Sequence, residues 1–186
     1  WVFSCLPDLT LKKIPQRFIG VWASISLTLL TASILTQYLQ PYLTQTTKRI
    51  HFPGQDLSEK ITKAWAKRFS TPLSYVIGDT WLAGNVAYYA PERPHVFIDA
   101  NPSISPWISL KSLRKKGGIY LSKLCPGKCH STQEEEIKKE FQTLRQEYPT
   151  LEEQEPLLLK PQTQAPVPRF VLYWAVIPPE NQKEKP

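Results

Sequence analysis

The chain has 186 residues, 41% of them hydrophobic, which is enough for a globular core of one or two domains. Its net charge is +7 and its pI about 9.3, but the lysines and arginines are scattered, cluster only near 113–116, and accompany no nucleic-acid-binding motif. Neither G-x-G-x-x-G nor a phosphate-cradling G-x-x-x-x-G-K-[ST] occurs, so the composition argues against nucleic-acid and nucleotide partners and for basic segments flanking a lipid surface.

No methionine is present, which leads us to expect a processed or truncated piece of a longer protein. Residues 1–17 form a flank holding Lys12, Lys13 and Arg17, and the 23 residues that follow, FIGVWASISLTLLTASILTQYLQ (18–40), carry no charge. As a helix this run spans roughly 34 Å, sufficient to cross the roughly 30 Å hydrocarbon core. Its serines and threonines lower the hydropathy, yet such hydroxyls are tolerated where they bond their own backbone or a neighbouring helix. A secretory signal fits less well, since its apolar region is shorter and would not stand behind a flank containing Pro7 and Pro15. Three basic residues before the run, against Lys48 and Arg49 after it, place the amino end in the cytoplasm and the remainder outside.

Beyond Pro53-Gly54, Leu57, Ile61, Ala64, Trp65 and Phe69 recur at three- and four-residue steps and predict an amphipathic helix over 56–69. Residues 73–77 read as a buried strand stopping at Gly78-Asp79, 80–89 as a helix, and 96–98 as a second strand stopping at Asp99. A proline-bounded loop (104–107), a short helix (110–116), the Gly117-Gly118 break and a third strand (119–121) follow. Ser131-Thr132 precede acids in a first turn and start a helix to about Tyr148, with Ile137, Phe141 and Leu144 as its inner stripe and EEEIKKE as a solvated face with i,i+4 pairs. Residues 152–168, rich in Pro, Gln and Glu, read as a loop, 170–177 as a last strand buried on both faces, and 179–186 as a disordered tail. The alternation predicts one transmembrane helix followed by a small extracytoplasmic α/β domain over 53–178, three-layered, mainly parallel and Rossmann-like.

In such sheets the crevice outside the carboxyl ends of the strands is the usual ligand site. Asp79, Asn85, Asp99, Asn101 and Trp107 are therefore the candidate ligand-binding residues, since aromatic faces beside planar polar groups suit a sugar. The same residues also suit plainer roles: Asp79 as a helix cap, Trp107 as an anchor to lipid headgroups, and Trp81, Tyr88 and Tyr89 as core or membrane-surface aromatics. Cys125 and Cys129, in CPGKC, are close enough to form a local disulfide in an oxidising compartment; read with His130 they resemble half a metal site, but no second ligand pair follows. Cys5 is left over, and no metal ligand set is assigned.

The apolar helix, then FPG, then PLSYVIGDTWLAGNVAYYAPERPHVFID and SPW, resembles the carboxy-terminal extracytoplasmic region of bacterial family 39 glycosyltransferases. These are multi-spanning relatives of protein O-mannosyltransferases and of the aminoarabinose transferase that modifies lipid A. The resemblance covers roughly 18–120 and is densest over 75–107; residues 125–168 match nothing in it. It implies a bacterial inner-membrane protein with this domain on the periplasmic side, taking a sugar from a polyprenyl-phosphate donor to a lipid or protein acceptor. It also implies catalytic acids, and in many members a divalent metal, in an early loop outside this stretch, so no catalytic residue and no cofactor are carried over.

The competing function is a membrane-anchored sugar-binding or interaction module without catalysis. A soluble hydrolase fits worst, because no G-x-S-x-G elbow occurs and His51, His95 and His130 have no evident nucleophile. If 18–40 spans the bilayer, the expressed chain stays in the membrane fraction after carbonate extraction; full recovery in the soluble fraction contradicts the spanning assignment.

Overall fold

The computed structural model describes residues 16–127 and 129–180, so the outer part of the amino-terminal flank, with Cys5, and the tail from 181 lie outside the described residues. Along the chain are α1 (Gln16–Thr44), a 3-10 turn (Arg49–His51), α2 (Gly54–Arg68), β1 (Tyr75–Gly78), α3 (Thr80–Tyr89) and β2 (His95–Ile98). Then come α4 (Leu110–Lys116), β3 (Gly118–Pro126), α5 (Ser131–Glu147), β4 (Glu152–Glu153), β5 (Leu157–Leu159) and β6 (Phe170–Ile177).

Helix α1 is longer than its uncharged core, running through Pro41. The stretch Phe18–Thr44 has a mean hydropathy of 1.9 and is exposed along its length except at Gln40 and Pro41, so it is long and apolar enough to cross a membrane. Four of the hydroxyls in its uncharged run bond its own backbone: Ser24 donates to the Gly20 carbonyl (2.8 Å), Thr28 to Ser24 (2.8 Å), Thr31 to Leu27 (2.9 Å) and Thr36 to Ala32 (2.6 Å). This lowers the polar cost that the composition of the helix suggested. No α1 residue belongs to either hydrophobic cluster of the domain.

The domain is mixed α/β, with strand order β2-β1-β3-β6-β4 and β5 also on β6. β1 lies parallel to β2 and to β3, as the alternation of strands and helices predicted. The other half corrects the expectation of a mainly parallel sheet: β6 runs antiparallel to β3, and β4 and β5 pair antiparallel with β6. A continuous apolar run reports burial on both faces and carries no information about direction. The expected loop over 152–168 also contains those two short strands. Glu152 and Glu153 face Val176 and Ala175, and 157–159 face 170–172, so the two act as one edge strand broken at Pro156. The Trp174 indole bridges the break by donating to the Glu155 carbonyl (2.9 Å). The polar β4 is held by the open edge of β6 rather than by its own composition, whereas β5 adds Leu157 and Leu159 to the apolar cluster beneath it.

Alternate residues of each strand go to separate clusters. Val76, Ile119, Leu121, Leu172 and Trp174 pack with Leu57, Ile61 and Trp65 of α2 and with Leu82 and Val86 of α3. Ile77, Tyr120, Ala175 and Ile177 pack with Leu113 of α4 and with Ile137, Phe141 and Leu144 of α5. The buried Ser58 hydroxyl of α2 donates to the Val86 carbonyl of α3 (3.1 Å), and Gly54 lets α2 approach closely, since a Cβ there would stand 2.3 Å from the Asn85 side chain.

The open edge of β2 is closed by the segment that follows it. The buried Ser105 hydroxyl accepts from the Ile98 amide (3.0 Å) and the Trp107 indole donates to the Val96 carbonyl (3.1 Å). Those are the backbone groups of β2 that point away from β1, so the S-P-W segment removes a pairing edge.

Gly78 ends β1 with φ +149°, and a Cβ there would meet the Leu121 carbonyl oxygen at 2.5 Å. Gly78→Ala is expected to destabilise the chain by about 1–3 kcal/mol, read as a lowered urea midpoint in detergent. An unchanged midpoint contradicts the packing of β1 against β3 at this position.

A carboxylate-lined cleft at the strand ends

Where β1 ends and its pairing with β3 stops, an open cleft of about 540 Å³ is lined by Asp79, Trp81, Leu82, Ser122, Lys123, Leu124, Glu136, Ile137 and Glu140. It occupies the carboxyl side of the parallel strands, where α/β sheets bind ligands.

Asp79 follows β1 directly and caps α3: its Oδ1 accepts from the Trp81 amide (2.7 Å) and the Leu82 amide (3.0 Å). Both bonds use one oxygen, so Oδ2 stays outside the cap. The cap aims the first turn of α3 at the cleft and turns the Trp81 indole outward, where it is 44% exposed.

The opposite wall comes from an irregularity in β3. Its register against β6 shifts between Leu121 and Leu124, leaving Ser122 and Lys123 in a bulge. The bulge turns both toward α5. Ser122 donates to Glu140 Oε2 (2.5 Å), the Tyr120 hydroxyl donates to Glu140 Oε1, and Lys123 Nζ lies 2.6 Å from Glu136 Oε2. Glu136 and Glu140 stand four residues apart on one face of α5, so one helix turn docks on the bulge through two carboxylates. The solvated charged face expected of α5 stands at Glu134, Glu135, Lys138 and Lys139, which are exposed, while its edge at Glu136 and Glu140 is bonded to the sheet.

Burial, then the accepted bond and charge of Glu140, then the charge of Asp99, hold the Tyr120 phenol protonated far above its ordinary range. The hydrogen bond and charge of Lys123 hold Glu136 below the usual carboxylate range. With Asp79, the cleft carries three carboxylates against one ammonium.

Of the residues singled out from the sequence, Asp79 lines this cleft. Asn85 lies on the other side of α3, donating to the Trp81 carbonyl (2.7 Å) beside Gly54. Asp99 takes a left-handed backbone (φ 49°) and donates its amide to the Gly78 carbonyl (2.9 Å), and its charge reaches Tyr120. Asn101 accepts from the Ser103 amide (2.9 Å) in a turn, and Trp107 covers the β2 edge. These last three shape the segment leaving β2 and are not among the residues that line the cleft. Sequence reasoning missed Ser122, Lys123, Glu136 and Glu140. The available signal was a polar pair interrupting the apolar run IYLSKLC, together with glutamates at i,i+4 on the next helix.

Cys125 and Cys129 are joined as a disulfide across the turn between β3 and α5. Both are buried in the cluster beneath α5, so the bond ties the end of β3 to the start of that helix. Among the described residues, no three His, Cys, Asp or Glu side chains gather closely enough to hold a metal ion.

Compared with models of known protein families, with curated proteins and with solved structures, the chain matches none.

Tyr120→Phe is expected to cost about 1–2 kcal/mol at neutral pH, because it leaves half-buried Glu140 with one donor fewer. The folded phenol keeps its proton where the unfolded chain loses one, so this contribution is complete below about pH 10 and lost as pH rises above it. Urea unfolding followed from pH 7 to alkaline conditions checks this: the native chain shows the larger alkaline loss and the Phe variant a smaller one, the remainder coming from Tyr148 and Tyr173, whose phenols burial also pushes up.

Proposed function

We propose that this chain is the membrane-anchored, extracytoplasmic part of a bacterial inner-membrane glycosyltransferase that moves a sugar from a polyprenyl-phosphate donor to a lipid or protein acceptor. Its domain is a small, three-layer, Rossmann-like unit on the periplasmic side, and its strand-end cleft holds the sugar portion of donor or acceptor. Helices packed against both faces of a sheet with a parallel half support that architecture. Catalysis belongs to acids elsewhere in the parent enzyme.

One observation carries this reading: the cleft sets the outward Trp81 indole beside the planar polar groups of Asp79, Glu136 and Glu140, on a domain that begins within ten residues of a membrane-length apolar helix. Sugars are held by an aromatic face with a few planar hydrogen-bonding groups. The excess of carboxylates suits a neutral or amino-bearing sugar and repels a bare phosphate. The sequence resemblance to family 39 glycosyltransferases supports the same assignment.

A second reading, a sugar-binding module without chemistry of its own, is favoured by a specific observation. Each cleft carboxylate already serves the fold: Asp79 caps α3, Glu136 pairs with Lys123, and Glu140 accepts from Tyr120 and Ser122. Such engaged groups are suited to receiving hydroxyls rather than to shuttling protons.

Membranes from cells expressing the complete gene, supplied with radiolabelled polyprenyl-phosphate sugars, are expected to transfer label to a lipid or protein. Deleting 53–178 is expected to abolish that transfer. Glycan binding retained without transfer from any such donor replaces the transferase with the binding module.

A further inference from the structure

The outer face of α3 is unlike the other exposed helix faces of the domain. Its sequence, TWLAGNVAYY, has no charged residue; Leu82, Ala83 and Val86 supply the buried side. Trp81, Tyr88 and Tyr89 are turned outward at 44%, 66% and 48% exposure. Trp81 and Tyr88 are seven residues apart, two turns or about 10 Å along the axis. The ring centroids of Tyr88 and Tyr89 are 4.9 Å apart, edge to face.

Two cations flank the strip. The Arg49 guanidinium lies 5.4 Å from the Trp81 ring centroid and that of Arg93 lies 5.5 Å from Tyr88. Arg49 and the exposed Ile50 belong to the turn that follows α1, and Phe52, just beyond, packs 5.9 Å from Trp81. The aromatic strip is therefore continuous with the chain emerging from the apolar helix.

Distances decide what can cover it. The 27 residues of Phe18–Thr44 extend about 40 Å, the thickness of a bilayer including its headgroup layers. From Thr44 to Arg49 the chain reaches at most about 18 Å. Indole and phenol rings prefer the headgroup level, and each arginine near an anionic surface adds about 1 kcal/mol.

We propose that the outer face of α3, with Arg49, Ile50 and Arg93, rests on the headgroup layer of an anionic lipid bilayer and fixes the orientation of the domain on the membrane. This rests on α1 spanning that bilayer. Trp81 contributes both to this strip and to the lip of the strand-end cleft, so docking sets the cleft beside the membrane surface, where a lipid-linked sugar would present its headgroup.

The test uses the full chain in nanodiscs of phosphatidylcholine with and without phosphatidylglycerol, on a Cys5→Ser background, with the native disulfide keeping Cys125 and Cys129 unlabelled. Single nitroxides are placed through Leu29→Cys in α1, Tyr88→Cys in α3 and Lys115→Cys in α4, which packs on the opposite face of the sheet. Ile50→Cys provides a second position on the strip if replacing Tyr88 perturbs α3. Accessibility to oxygen and to a nickel chelate is read by power saturation. The expected result is a Leu29 label shielded from nickel, a Tyr88 or Ile50 label partly shielded in anionic discs only, and an aqueous Lys115 label. Arg49→Gln and Arg93→Gln are each expected to weaken the docked state about five-fold. A shielded Leu29 label with Tyr88 and Ile50 labels as aqueous as Lys115 overturns the docking and leaves the membrane span intact. An aqueous Leu29 label overturns the span and the docking together. Shielding of the strip that ignores lipid charge and follows protein concentration assigns the face to a second copy and overturns the proposal.

Discussion

The structure depends on β3 pairing in two directions at once. On one side it continues the parallel half through β1, and on the other it forms an antiparallel ladder with β6 from Gly118 to Pro126. A parallel strand must be reached by a crossover, which is why α3 and α4 lie between the strands of that half. The antiparallel half imposes no such requirement, and the chain returns to it through α5 and a largely irregular segment. β6 is thereby paired on both sides, with β3 along one edge and β4 and β5 along the other. Its backbone is satisfied as fully as its side chains are buried.

The same strand makes the cleft. A bulge bends the strand that carries it and leaves residues unpaired, so the register shift at 121–124 takes two polar side chains out of the ladder and turns them to α5. Without a partner, Ser122 and Lys123 would be polar groups at the margin of a packed sheet. Glu136 and Glu140 supply the partners, and the helix is docked as the polar groups are satisfied. Two of the three carboxylates that line the cleft, Glu136 and Glu140, are thus the ones that fasten α5 to the sheet. A ligand entering there meets groups whose positions are already set.

The two apolar systems of the molecule are separate. The domain has its own clusters on the two faces of the sheet, and α1 contributes to neither, so nothing in the domain's core requires the helix to be present. What joins them is the 3-10 turn and Phe52, with Ile34, Tyr38 and Tyr42 of α1 lining a cavity shared with Ile50, His51 and 162–164 of the domain. That junction places the uncharged face of α3, rather than a lysine-rich face, beside the end of the apolar helix.

The sequence by itself determined the elements whose signal is local. The uncharged run of α1, the stripe of α2, the strand–Gly-Asp–helix opening around Asp79 and the start and stop of α5 are all set by side-chain period, caps and breakers within one or two turns. The CPGKC spacing likewise keeps its two cysteines together whatever the remainder does. Tertiary structure decided what depends on partners distant in the chain. The direction of β6 was invisible because burial on both faces looks alike in either orientation, and β4 and β5 exist because an unpaired edge was available to a polar, proline-broken segment. Asp99, Asn101 and Trp107 carry the residue types of a binding site, yet Asn101 accepts from the Ser103 amide in the segment leaving β2, Trp107 donates to the Val96 carbonyl of β2 itself, and Asp99 joins the end of β2 to β1. Ser122, Lys123, Glu136 and Glu140 looked like ordinary surface, and only the bulge, a property of two paired strands, turned them into one wall of a cleft.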